Sequence, residues 1–226
     1  MRTWRAPDVR IDVGGIRYPW GVDELDADLA RLAWEGIDLP YSMTVVEGLD
    51  EDEVIRRLGG DPRATEPMDR RRYWELHLGG DRDEPYFVGV ATVGRIVCAV
   101  EHNGWSASIP GVLRRLSVGA RAFNMLNHIE AKDCVGYAVN GDLLVFEEPW
   151  GPLTPLSPGD RRWDASWCDG LSDLDSDVWL RGARLRALAE RVMGCRLELG
   201  WCTGALRTAA VPSPDDLAGP DDWDLP

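Results

Sequence analysis

The chain has 226 residues, 44% of them apolar, and carries a formal net charge of −14. That apolar content supports a folded core and excludes disorder as a description of the whole, while the acidic balance excludes nucleic acid and anionic membrane as partners, since both are bound through basic patches. A basic partner, protein or small ligand, stays open.

In chain order, residues 1–21 hold Trp4, Pro7, Gly14, Gly15, Pro19 and Trp20 around a short extended stretch at Val9–Val13, and are expected to form an irregular arm. Asp23–Glu35 places Leu25, Leu29, Leu32 and Ala33 at helical spacing, with Asp23 to cap the helix and Gly36 to end it. Tyr41–Glu47 reads as a strand. Asp50 and Glu53 have capping-box spacing for a helix to about Leu58, which Gly59-Gly60 stops. Residues 61–85 are charged and broken by Pro and Gly, a surface excursion with one helical stretch around Met68–Leu78.

The organising stretch is Tyr86–Ser108, YFVGVATVGRIVCAVEHNGWSAS. Its two runs, 86–93 and 96–100, are apolar on both faces of an extended chain, so each needs cover on both sides. Val93-Gly94-Arg95 can close a hairpin between them. Asn103-Gly104 is a type I′ dipeptide, which implies a third strand in the same meander.

Beyond it, Ser108-Ile109-Pro110 can start a helix carrying Val112, Leu113 and Leu116, closed by Gly119. Ala122–Glu130 alternates, with Phe123, Met125 and Ile129 on one face and Asn124, Leu126, His128 and Glu130 on the other. Cys134–Val139 and Asp142–Glu148 are joined by Asn140-Gly141, the strongest hairpin signal in the chain. Residues 148–172 look like a long loop. Asp173, Asp175 and Asp177 then precede an amphipathic helix running to Gly194, where the acids suit the helix dipole. They also resemble the opening of a calcium loop, but Val178 and Arg184 stand where that loop needs glycine and glutamate. Arg196–Leu199 can add an edge strand, and the acidic end, VPSPDDLAGPDDWDLP, is expected to be disordered. The expectation is an α+β fold: an arm at 1–21, one domain over 22–210 built on a single, mostly antiparallel sheet of about six strands packed by three or four helices, and a tail at 211–226.

The segments YSMTVVEGLDEDEVIRRLGG (Tyr41–Gly60), VGVATVGRIVCAVEHNGW (Val88–Trp105), PGVLRRLSVGARAF (Pro110–Phe123) and the late helix before CRLELGW together resemble an uncharacterised family of actinobacterial proteins known only as a domain of unknown function. The resemblance spans residues 38–200 and implies one compact domain in a bacterial cytosol. It brings no reaction, cofactor or catalytic set.

Three features bear on function. Glu101-His102 with His128, Glu130 and Asp133 could place imidazoles beside carboxylates, the pairing that acid–base work needs, if their strands are neighbours. Among eleven tryptophans, Trp150, Trp163 and Trp167 lie in a polar loop and Trp105 follows a turn, so these four are the candidate binding residues. Asp221-Asp222-Trp223-Asp224 is an acidic-aromatic run that either docks or is simply solvated. Five cysteines form no CxxC pair, no window approaches the roughly 18 apolar residues of a membrane span, and no signal-peptide pattern opens the chain. A reducing cytoplasm follows as the expectation.

No nucleotide, zinc-protease or serine-hydrolase motif occurs, and neither cofactor nor metal is implied. The single lysine, Lys132, against 24 arginines reads as genome composition. Two functions remain. One is a non-catalytic binding protein, an immunity or regulatory factor engaging a protein or small ligand, and the other a small cofactor-independent enzyme of specialised metabolism using histidine and carboxylate in a Trp-lined pocket.

Overall fold

The computed structural model describes residues 11–13, 16–18, 41–78, 86–102, 104–127, 133–147, 153–171, 178–197, 199–202 and 204–225. The helix expected at 23–35 and the acidic run at 173–177 lie outside them. Near the N-terminus, β1 (Ile11–Val13) and β2 (Ile16–Tyr18) pair as a small antiparallel hairpin. The body is one antiparallel sheet made of β3 (Tyr41–Glu47), β4 (Thr65–Met68), β5 (Tyr86–Val93), β6 (Ile96–His102), β7 (Arg121–Asn127), β8 (Cys134–Val139), β9 (Asp142–Glu147) and β10 (Leu206–Val211). Their spatial order is β4-β10-β5-β6-β3-β7-β8-β9.

The α+β class and the single antiparallel sheet are as expected. The strand count is corrected from about six to eight. The additional strands are β4, whose Pro67 suits an edge, and β10, which inserts between β4 and β5 across more than a hundred residues of sequence. Among the described residues of the expected edge strand at Arg196–Leu199, none pairs in the sheet, and Leu199 opens a 3-10 turn. Nor does a third strand follow β6: the chain turns at Gly104 into a 3-10 helix at Ser106–Ser108. At Asn140-Gly141 both residues have positive φ, 51° and 87°, which is the backbone a type I′ hairpin between β8 and β9 requires.

The five described helices cover both faces of the sheet. On one face, α4 (Val178–Met193) and the loop at 153–171 pack against Tyr41, Met43, Phe123, Met125 and Tyr137. On the other, α1 (Glu51–Arg57) and α3 (Pro110–Leu116) cover Val46, Val97, Ala99, Ala122 and Ala138. Large side chains fill the first layer and small ones the second, where α3 comes close to the strands. Each fully buried Phe or Met contributes about 1.5–3 kcal/mol by leaving water. The remaining helices, α2 (Arg70–Leu78) and α5 (Pro214–Leu217), sit after β4 and after β10. As expected, Asp50 caps α1 by accepting from the Glu53 amide at 2.8 Å.

The end of the chain is held. Residues 213–223, expected to be disordered, form α5 and a 3-10 turn at Pro220–Trp223 packed along α3, and Arg115 pairs with Asp222 and donates to the Leu217 carbonyl. Acidic composition alone pointed to solvent. Two basic side chains on α3 supply the grip.

Candidate functional site

The central strand β3 lies between β6 and β7, pairing Tyr41 with both His102 and Asn127, and Ser42 with both Glu101 and Leu126. Buried polar groups gather at this end of the sheet. Ser42, Thr44, Glu101, Ser106, Asn124, Asn127, Asp133 and Arg186 are all buried, leaving only Ser117 and Thr208 elsewhere among the described buried polar residues. Such groups are costly to bury without partners, so a concentration of them marks a candidate site.

On the α3 face, Asn124 is the hub. Its Nδ2 donates to Ser42 Oγ at 2.8 Å and Thr44 Oγ1 at 3.0 Å, and its Oδ1 accepts from Ser108 Oγ at 2.7 Å. Glu101 accepts from the backbone amides of Ser106 at 3.1 Å and Ala107 at 3.4 Å, so its carboxyl ties β6 to the start of the 3-10 turn. Burial pushes the Glu101 pKa up, and the Ser106 hydroxyl and the two amides oppose that shift. The Ser106 hydroxyl is nonetheless buried without a well-aligned hydrogen bond. A side chain at Gly104 would put its Cβ 2.8 Å from Glu101 Oε2. Glycine is what lets the chain close over the carboxyl.

On the α4 face, Arg186 is buried and donates to the Tyr41 hydroxyl. Burial lowers the Arg186 pKa and raises that of Tyr41, while each opposes the other's shift. Cys202 lies close enough to Arg186 to feel its charge, yet burial pushes the thiol up to about 11, leaving it protonated at neutral pH. Cys202 also lines a small concavity of about 20 Å³, whose wall includes Arg70, Tyr73, Phe87, Val100 and Thr208. Burial raises the Tyr73 hydroxyl pKa as well. Among the described residues, no three His, Cys, Asp or Glu side chains converge closely enough to hold a metal ion.

Of the candidate acid–base residues, Glu101 and His102 lie at the end of β6, which is separated from β7 by β3. Two strand spacings, about 10 Å, divide the backbone of Glu101 from that of Leu126 across Ser42. His128, Glu130 and Trp150 lie outside the described residues, as does the His102 side chain. Of the candidate binding tryptophans, Trp105 is half-buried with its ring edge-on to Tyr86 at 6.1 Å. Trp163 is buried, packed at right angles to the half-buried Trp167 at 5.3 Å, and both rings touch Tyr137. Trp163 and Trp167 belong to the α4-side core.

Sequence reasoning missed Arg186, Tyr41, Asn124 and Cys202. The alternation Ser42-Met43-Thr44-Val45 and Asn124-Met125 reads as a solvent face, and only the cover above it makes it dry. The arginines were missed differently. Arg57 donates to the carbonyls of Arg115, Leu116 and Val118 at the end of α3, while Arg95 and Arg121 hold the last carbonyls of α4. Arg191, Arg207, Arg114 and Arg115 likewise grip main-chain oxygens. A guanidinium fork reaches several carbonyls at once, which an ammonium does less well.

No helix among the described residues is long and apolar enough to cross a membrane. No curated protein and no solved structure matches the chain. The model of a family of unknown function, DUF6461, matches residues 29–161, a segment that takes in β3 to β9 with Glu101 and Asn124 and stops before α4, Cys202 and the acidic end. That match covers more than half of the 226 residues, and the chain belongs to this family.

Proposed function

We propose that the protein is a non-catalytic binding protein of the cytosol, a regulatory or immunity factor that holds a basic partner against an acidic surface. The observation carrying this reading is the internal use of arginine. Seven arginines, at 57, 95, 114, 115, 121, 191 and 207, donate to carbonyls of their own fold. Much of the positive charge is therefore committed to holding elements together, and the net charge of −14 governs the long-range field a partner meets. The half-buried Trp105, edge-on to Tyr86, supports this reading as an aromatic contact for the partner.

The test is co-purification of tagged protein with the products of neighbouring genes, each expressed alongside it. A basic partner retained at low salt and released at high salt is the expected result. If the partners retained are acidic, or their retention is indifferent to salt, the proposal fails.

A second reading is favoured by the polar end of the sheet, where Glu101 has a raised pKa and His102 and Asn127 flank Tyr41. There the protein would be a cofactor-independent enzyme, with His102 or His128 exchanging protons with Glu101 or Glu130. Activity screening of the H102A/H128A double variant beside the native chain decides it: turnover equal in both removes this mechanism.

A further inference from the structure

The exposed large hydrophobic side chains among the described residues are three, one just past the end of α3 and two in the segment held along that helix. Val118, 53% exposed, lies in the turn that ends the helix, and Trp223 and Leu225, each 50% exposed, lie in the segment held along it. Scattered single hydrophobics on a surface need no explanation, but an indole and a leucine fixed two residues apart by hydrogen bonds are a different matter.

The fixing is extensive. Ser213 caps α5 through the Asp216 amide, and Asp222 accepts from the Gly219 amide at 2.8 Å while pairing with Arg115. Arg114 Nη2 donates to the Asp224 carbonyl at 3.1 Å, anchoring the backbone on both sides of Trp223. The helix is shaped to receive this segment: a Cβ at Gly111 would lie 1.9 Å from Asp222 Oδ1. Trp223 is thus presented outward from an ordered backbone, with little further ordering to be lost on contact.

Charge selects what meets it. Asp215, Asp221 and Asp224 are exposed, and no hydrogen bond or ion pair holds their carboxylates among the described residues. Phosphate-bearing partners are repelled by these aspartates. A second copy of this chain would set the same carboxylates face to face. A basic segment carrying its own apolar stripe satisfies both features, laying leucine-type side chains on Trp223 and Leu225 and cations beside the aspartates or over the indole.

We propose that the α3-held strip from Asp215 to Leu225 is the docking surface for a basic amphipathic helix of another protein. It rests on the acidic-binder reading above and names the face that reading uses.

The probe is a synthetic helical peptide with lysine on one face and leucine on the other, compared with a peptide in which serine replaces each leucine. Calorimetry at low salt measures affinity, and the indole N–H resonance of Trp223, assigned from W223F, reports location. The lysine–leucine peptide is expected to bind, to move that resonance, and to bind at least about tenfold more weakly to W223A/L225A. D215N/D221N/D224N should flatten the salt dependence. Both variants alter exposed side chains, and an unchanged melting temperature verifies their folding. If both peptides bind equally and W223A/L225A binds as the native chain does, the docking face is overturned while the acidic-binder reading stands. If neither peptide binds at low salt, both fall.

Discussion

At Glu47, β3 ends in a carboxylate shared by Arg95 and Arg121, both partly open to water, and those two arginines also hold the last carbonyls of α4. Five and six residues back, at Ser42 and Tyr41, the same strand is flanked by a comparable density of polar groups that are shut away from solvent. One end joins elements with charge in a high-dielectric setting. The other does so with buried hydrogen bonds around Asn124, a buried Arg186–Tyr41 contact and a carboxyl whose pKa is raised. Attraction at the wet end is cheap to make and cheap to lose, whereas at the dry end each unmet donor or acceptor keeps its full desolvation cost. The two ends should therefore respond differently to mutation, pH and salt.

The largest expected effect is at the dry hub. Asn124→Ala removes partners from Ser42, Thr44 and Ser108 together, all within a covered layer. A loss of about 3 kcal/mol follows from several buried groups left unmet. Urea unfolding measures it, and the loss should be the same at low and high salt. A cost below about 1 kcal/mol would mean that water reaches this end and that the contrast is false.

Next comes Gly104→Ala. The added methyl would sit 2.8 Å from Glu101 Oε2 and 2.9 Å from its Cβ, so the carboxyl or the turn must shift. Overpacking of this kind costs about 1–3 kcal/mol. Because the displaced carboxyl also loses its amide partners at Ser106 and Ala107, hydrogen exchange of those two amides should accelerate selectively.

What the sequence revealed of all this follows a physical line. β5, β6 and the β8–β9 hairpin were legible because their signals are local: two-sided apolar runs, and an Asn-Gly pair whose positive φ values the turn demands. β10 was not. Arg207 and Thr208 look polar in isolation, and the strand is specified by pairing with β4 and β5, far away in the chain. Glu101 was singled out as a partner for histidine, but the carboxyl turns back to amides five and six residues ahead, in a stretch whose Asn-Gly suggested a hairpin. The arginine forks clamp carbonyls, a role invisible until elements are placed in space. Local chemistry was readable, and cover was not.

Glu101→Gln sharpens the contrast through pH. Burial raises the Glu101 carboxyl above its ordinary value of 4.5, so the folded state binds its proton more tightly than the unfolded chain. The resulting contribution is fully present below the unfolded value and is lost as pH rises from there through the raised folded value. The slope within that window is at most about 1.4 kcal/mol per pH unit. Glutamine does not titrate. The native chain should therefore lose stability relative to Glu101→Gln as pH climbs through the window, with a flat difference above it. A difference that runs the other way would mean that the amides of Ser106 and Ala107 overcome burial and hold the carboxyl ionised.

The smallest expected effect belongs to the wet end. Glu47→Gln removes the anion between Arg95 and Arg121 but leaves both guanidinium groups on the α4 carbonyls at 193 and 194, so no element is released. The Glu47 side chain is about one-quarter exposed and that of Arg95 well over half, which places the lost attraction in a screened setting. A cost of about 1 kcal/mol or less is expected at low salt, shrinking as salt is added, whereas the Asn124→Ala cost should hold steady. Combining the two substitutions tests independence, because Asn124 faces Thr44 and Glu47 faces Arg121, three positions apart along the same strand pair. Additive losses are expected from separate sites, and a coupling of 1 kcal/mol or more would mean that β3 transmits strain between its ends.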